Sequence, residues 1–204
     1  MNTNMRQLII ARKDLNMSPG KLAAQCCHAS IAFIVRLINN NTQKNRLHCY
    51  PAVRANGVAQ YYQRRDLNTW AQEARDKGEN CFYAKPVNPA FPYGEFALCE
   101  PEYEYETDFV IDNNIYEHWI NGIFTKTVCE AKNRNQLMKA VILANELGLV
   151  EGEDFFLIKD ACLTELEPEE IDENGVGRVL TCIGFKPLPD EIIQQISRKF
   201  QLYK

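Results

Sequence analysis

The stretch Gln7-Leu8-Ile9-Ile10-Ala11, followed closely by Ser18-Pro19-Gly20-Lys21-Leu22-Ala23-Ala24-Gln25, decides the fold. The first five residues are a short apolar run, which predicts a strand buried on both faces. A turn over Lys13 to Met17 follows. Serine as N-cap with proline at the first helical position then starts a helix. That helix is expected to reach about Leu37 and to stop at Asn39-Asn40-Asn41.

The same alternation resumes near the far end of the chain. Thr127-Val128-Cys129 is a strand candidate. Asn133 caps a helix whose Leu137, Met138, Val141, Ala144 and Leu147 keep helical spacing until Gly148. Phe155-Phe156-Leu157-Ile158 predicts a second buried strand closing at Lys159-Asp160, and Arg178 to Gly184 the last one. Pro187, Pro189 and Asp190 open a final helix with Ile192, Ile193, Ile196 and Phe200 on one side. This order predicts the α/β class: a three-layer α/β/α sandwich on a small, mostly parallel mixed sheet of about four strands.

Residues 1–38 and 114–204 are expected to form one domain, with 39–113 an inserted subdomain. The insertion is rich in Asn, Tyr and Pro, and at about 75 residues it is too long for an ordinary loop. Leu67 to Arg75 is read as a helix capped by Asp66, and Glu95 to Leu98 and Thr107 to Ile111 as strands. Glu100, Glu102, Glu104 and Glu106 alternate with Pro101, Tyr103 and Tyr105, which in an extended chain puts the carboxylates on one face, read as a solvated edge.

With 204 residues, 46% hydrophobic and 25% charged, the chain can bury a full core, which excludes a disordered, collagen-like or coiled-coil chain. The longest uncharged apolar stretch, Leu22 to Val35, is interrupted by Gln25, His28 and Ser30 and is shorter than the roughly 20 residues of a membrane span. Arg12, Lys13 and Asp14 end the run at Leu8–Ala11 too early for a secretory signal. A cytoplasmic protein with no membrane partner is expected. The eight cysteines include no Cys-x-x-Cys pair, so no metal and no cofactor are expected.

Lys21, Gln25 and His28 fall at i, i+4 and i+7, a narrow stripe of one helix face. Lys21 stands in the first turn, where the helix dipole disfavours a cation, beside Gly20 and exposed backbone N–H groups; this is half of an anion site or a solvated polar stripe. It is not a phosphate-binding nucleotide loop, because Leu22 follows the lysine and the upstream glycine is missing. Asp160 closes a buried strand, and ligands gather beyond the carboxyl ends of such strands. Lys21 and Asp160 are therefore expected at one edge, as an ion pair or as an acid–base and electrostatic site. Only His28, His48 and His118 exist, none near a Gly-x-Ser-x-Gly elbow, which disfavours a serine or cysteine hydrolase.

The run Met17-Ser18-Pro19-Gly20-Lys21-Leu22-Ala23-Ala24-Gln25-Cys26-Cys27-His28-Ala29 resembles the signature that opens the first helix of the archaeal and eukaryotic, second-type peptidyl-tRNA hydrolases. Trp119 with Lys126 and Val128, Ala144-Asn145-Glu146-Leu147-Gly148-Leu149, Ile158-Lys159-Asp160-Ala161 with Thr164 and Pro168, and Thr181-Cys182-Ile183-Gly184 with Pro187 and Leu202-Tyr203 continue the likeness in order. The resemblance implies a metal-independent hydrolase that cleaves the ester between peptide and tRNA and so recycles tRNA, often as a homodimer. It carries catalytic roles onto Lys21, Asp160, Thr164 and Thr181, and substrate contact onto Gln25 and His28. Gly20 joins the substrate contacts, as do Arg12 and Lys13 through their charge. The alternative is a family-like scaffold whose chemistry is altered, acting as an RNA- or protein-binding module.

Three departures bear on that choice. Cys162 stands where the family usually has glycine, Leu163 where some members have arginine, and Glu169 to Gly177 lengthen an acidic loop before Thr181. Charge is also uneven. Residues 1–38 carry a net +4, the insertion −3 and the remainder −5, within a total of −4. The first block supplies the local positive charge that a polyanion needs, while the total predicts weak, salt-sensitive binding.

Overall fold

The computed structural model describes residues 4–49, 52–55, 58–61, 81–82, 97–98 and 101–204. In chain order the elements are β1 (Met5–Arg12), α1 (Pro19–Asn41), β2 (Thr42–Cys49), β3 (Ala52–Ala55), β4 (Val58–Tyr61), β5 (Cys81–Phe82), β6 (Ala97–Leu98) and β7 (Pro101–Thr107). Then follow α2 (Asn113–Ile115), a π-helical segment (Tyr116–Ile123), β8 (Lys126–Ala131), α3 (Arg134–Glu146), β9 (Phe155–Asp160), β10 (Glu170–Ile171), β11 (Gly177–Phe185), β12 (Leu188–Pro189), α4 (Asp190–Ser197) and β13 (Gln201–Leu202). Two compact units emerge: Met1–Asn40 with Phe109–Lys204, and Asn41–Asp108.

The first unit is an α/β sandwich. Its sheet has the order β10-β11-β1-β8-β13, with β9 added on β11 and β12 on β1. The strand directions differ from the expected mostly parallel sheet of about four strands. The sheet has seven strands, and only β1 and β8 pair in parallel. β9 runs the same way as β1, but β11 lies between them and is antiparallel to both. A parallel neighbour needs a long crossover. The chain after β9 makes none, so β11 returns in the opposite sense. The extra strands β10, β12 and β13 are two residues each, too short for a period-2 pattern to reveal.

Alternation along the strands divides the core. Leu8 and Ile10 of β1 join Leu180, Ile183 and Phe185 of β11 on the side covered by α3 and α4. There Leu137, Ala140 and Ala144 of α3 and Ile193 and Ile196 of α4 are fully buried. Asn133 caps α3 as its sequence predicts, its side chain accepting from the Gln136 amide at 3.0 Å. Ile9, Ala11 and Cys182 point to the opposite face, toward α1.

α1 covers that face with Gln25, Ala29 and Phe33, spaced one turn apart. It comes close because β11 has no side chain at Gly184: a Cβ there would sit 2.3 Å from the Ala29 carbonyl oxygen. The helix has 23 residues and passes, by length and composition, for a membrane span, which the interrupted stretch Leu22 to Val35 does not suggest. In this fold it is one layer of the sandwich. It also runs to Asn41, four residues beyond the expected Leu37.

The second unit pairs β2 with β7, β3 with β4 and β5 with β6, all antiparallel. The helix expected at Leu67 to Arg75 lies outside the described residues, as do Glu95 and Glu100. Ala97–Leu98 is strand, and the strand expected at Thr107 to Ile111 instead ends at Thr107. Glu102, Glu104 and Glu106 alternate along β7, opposite His48, Arg46 and Gln43 in the register with β2.

Candidate active site

Six residues separate the end of β1 from the start of α1, at the same edge of the sheet as the end of β9. The Ser18 hydroxyl receives the Lys21 amide at 3.3 Å, and the Leu22 amide donates to the Ser18 carbonyl at 2.9 Å. This N-cap fixes the first turn and aims Lys21 across the edge. Its ammonium lies 2.8 Å from Asp160 Oδ2, with the side chains 16% and 11% exposed, and donates to Thr164 Oγ1 at 3.2 Å. One turn on, Gln25 Nε2 donates to the same Asp160 Oδ2 at 2.8 Å. Two groups predicted from distant parts of the chain therefore meet.

Thr181 completes the chain of contacts from beneath. β11 carries a bulge between Leu180 and Cys182, so Thr181 is an extra residue with no partner on β9. A bulge re-aims the side chain it adds. Here Thr181 and Cys182 both turn toward α1, while Leu180 and Ile183 stay in the opposite core. The Thr181 hydroxyl is fully buried and donates to Gln25 Oε1 at 2.6 Å, with the Ile158 carbonyl oxygen 3.0 Å away. Gln25, 2% exposed, is thereby locked between Thr181 and Asp160.

Asp160 is also held from its own loop. The Cys162 amide donates to Oδ1 at 2.9 Å, across a backbone that turns into the left-handed region at Cys162, φ 54°. Burial disfavours the charged carboxylate. The ammonium of Lys21, the Cys162 amide and the Gln25 amide together outweigh it and hold Asp160 below its ordinary pKa. Oδ2 accepts two hydrogen bonds and Oδ1 one. With roughly four lone-pair positions on a carboxylate, Oδ1 retains one for a water. Lys21 likewise uses two of its three N–H groups and keeps the third.

The other expected site residues are placed differently. Gly20 is exposed in the first turn of α1, with open space around its α-carbon. His28 is exposed on α1, beside β9 rather than against Asp160. Arg12, expected to touch substrate, is 3% exposed: its guanidinium bridges Asp14 and Glu169 and donates to the Leu180 carbonyl, which keeps it from a ligand. Lys13 pairs with Glu130 at 2.6 Å and reaches the Lys204 carbonyl at 2.8 Å. With Arg6 on Asp190, four of the five cations in the first block face carboxylates; among the described residues Arg36 shows no such partner. The acid excess of the last block is what neutralises the first.

The long acidic loop is pinned in the same way. Glu169 and Glu170 bind Arg134, Glu170 also binds Lys159, and Asp172 binds Arg178. Leu166 packs with Met17 and Val179, and Glu165 accepts from the Ser18 amide and hydroxyl. Neither the Cys162 amide nor Glu165 stands out in the sequence as part of a site; the only trace is a cysteine at a position where the resembling family keeps glycine.

The profile of the family described as Peptidyl-tRNA hydrolase PTH2 matches residues 5–84 and 101–203. Over 98% of both chains, the sequence is 31% identical to a peptidyl-tRNA hydrolase of Methanopyrus kandleri. It is 35% identical to one of Saccharolobus islandicus over 97% of this chain and 98% of the relative. A third, from Methanothermobacter thermautotrophicus, is 35% identical over 28% of this chain and 66% of its own length.

Proposed function

Since the chain belongs to the PTH2 peptidyl-tRNA hydrolase family, we propose that it hydrolyses the ester between a peptide, or an N-blocked amino acid, and tRNA, with Lys21 and Asp160 at the reacting centre. The observation that carries this reading is the 2.8 Å contact of Lys21 with Asp160, at the exposed end of β9 and tied to Thr164 and Gln25.

The chemistry follows from the unfilled hydrogen-bond positions. A water held on Asp160 Oδ1 attacks the ester carbonyl. The third N–H of Lys21 meets the oxygen on which negative charge develops, a donor preorganised before the reaction begins. The new bond joins water oxygen to the acyl carbon. The bond from that carbon to the ribose oxygen breaks, and the ribose oxygen takes up the proton that the attacking water gives up, leaving as a hydroxyl. Because its pKa is depressed, Asp160 is charged at neutral pH; it orients the water and anchors Lys21 rather than storing a proton. Thr164 aligns the ammonium. Thr181, buried beneath Gln25, is a positioning residue: it fixes the amide that fixes Asp160. Gly20 leaves room for the terminal nucleotide over the first turn of α1.

tRNA is the macromolecular partner, the setting is cytoplasmic, and the first unit is the hydrolase domain, with 41–108 inserted into it. The paired state of Arg6, Arg12 and Lys13 supports weak, salt-sensitive tRNA binding. A homodimer is carried over from the family resemblance, and sedimentation tests it. The decisive assay is cleavage of a radiolabelled peptidyl-tRNA followed on an acid gel, with EDTA present. Hydrolysis by the wild type that Lys21→Ala reduces is the expected result; equal rates for both refute the assignment.

A further inference from the structure

A groove lies between α1 and β9, its lining running from His28 and Ile158 to Asn39 and Phe156. His28, Ile31 and Val35 of α1 form one wall, and Phe156, Leu157 and Ile158 of β9 the other. Successive strand side chains point to opposite faces. Three consecutive residues can line one groove only if the strand edge itself borders it. β9 pairs with β11 on one side; on the other, among the described residues, it makes only an isolated bridge from Phe155 to Glu151. Ile31 and Val35 are 49% and 42% exposed. Among the described residues nothing pairs with this apolar strand edge, a kind that proteins usually blunt, and its last lining residue, Ile158, stands two residues before Asp160.

We propose that this groove holds the peptide of the substrate, which adds to β9 as a short parallel strand. The inference rests on the hydrolase reading. The acyl carbonyl sits at Lys21 and Asp160, and the peptide extends backward past Ile158 to Phe156, so its N-to-C direction is that of β9. The span from Phe156 to Asp160 is about 13 Å, room for about four residues at strand spacing. Strand addition suits this substrate chemically. Main-chain hydrogen bonds recognise any peptide sequence, and the apolar wall of Ile31 and Val35 contacts side chains without selecting among them. An aminoacyl ester with a free amino group has no backbone amide to pair, so the groove favours peptidyl over aminoacyl esters.

The test is a series of tRNAs bearing N-acetyl-alanine, then alanine-terminated di-, tri-, tetra- and hexapeptides. The expected kcat/KM rises about tenfold up to the tetrapeptide, the worth of one or two net hydrogen bonds, and is flat beyond it. N-methylation of the second and third amides abolishes the rise, whereas changing their side chains does not. Ala32 also lines the groove, between Ile31 and Val35 on α1; in Ala32→Trp, which fills it, the ratio of tetrapeptide to N-acetyl-alanine rates falls to about one. A flat series, a rise that follows side-chain identity, or an unchanged ratio in Ala32→Trp overturns the proposal. So does an Ile31→Asp variant that turns a dimer into a monomer without altering the ratio, since a second copy then fills the groove. Fluorescence polarisation of a dye-labelled tetrapeptide amide separates the two readings. Binding lost in Ala32→Trp supports the groove even if no ester is cleaved, and equal or absent binding refutes it.

Discussion

Two cations from the first forty residues meet carboxylates from the far end of the chain, and they end in opposite conditions. Arg12 uses all five of its N–H groups: one on Nε, two on each terminal nitrogen, shared among Asp14, Glu169 and the Leu180 carbonyl. Lys21 uses two of three, on Asp160 and Thr164. The first centre is closed and staples the acidic loop to the sheet. The second has a donor left over, facing a carboxylate with a lone pair left over. A paired charge by itself says nothing of function; the unfilled valence of the pair does.

If that contrast holds, the two centres break differently. Lys21→Ala should lower kcat for peptidyl-tRNA by about 10²–10³-fold, the cost of one oxyanion donor, and should also cost about 1–2 kcal/mol of stability, because Asp160 keeps only the Gln25 and Cys162 amides. Arg12→Ala should cost stability alone. It strands two carboxylates that are about one-third exposed, so unfolding should become easier by about 2–3 kcal/mol, with activity per folded molecule kept. Activity lost in Arg12→Ala at full stability would erase the distinction.

Thr181→Val sharpens the comparison from within the site. It removes the donor to buried Gln25 Oε1 at nearly constant shape, so it should cost about 1–2 kcal/mol of stability. It should also lower kcat about tenfold, with KM unchanged. A rise in KM alone would mean that Thr181 touches substrate.

The pH profile is a gentler probe. A depressed Asp160 pKa means that its contribution to stability and activity is present above the ordinary carboxylate value and is lost only as pH falls through the lower folded one. The acid limb of kcat should therefore lie below the ordinary value of 3.8, and Asp160→Asn should abolish that limb together with most of the activity. The smallest effect has the opposite sign: Cys162→Gly relieves a left-handed residue and should stabilise by about 1 kcal/mol or less, measured by thermal melting.

The elements that position the site were legible because each has a local cause. Ser18-Pro19 starts α1, Asn133 starts α3, and the apolar runs at Leu8–Ala11 and Phe155–Ile158 are strands wherever they pack. The stripe Lys21–Gln25–His28 was readable too, but its division was not: Lys21 and Gln25 face Asp160, whereas His28 lies along the groove. Arg12 looks like a surface cation in the sequence because its partner Glu169 is 157 residues away.

The sequence by itself determined the α/β class, the helix starts and the candidate pair Lys21 and Asp160, since capping, periodicity and a short motif act over a few residues. Tertiary structure alone decided that β11 runs antiparallel between β1 and β9, that a bulge turns Thr181 under Gln25, and which cations stay available. These depend on contacts between segments distant in the chain, β1 and α1 against β9 and β11 above all, whose geometry is fixed only when the sheet closes and burial makes each unpaired polar group costly.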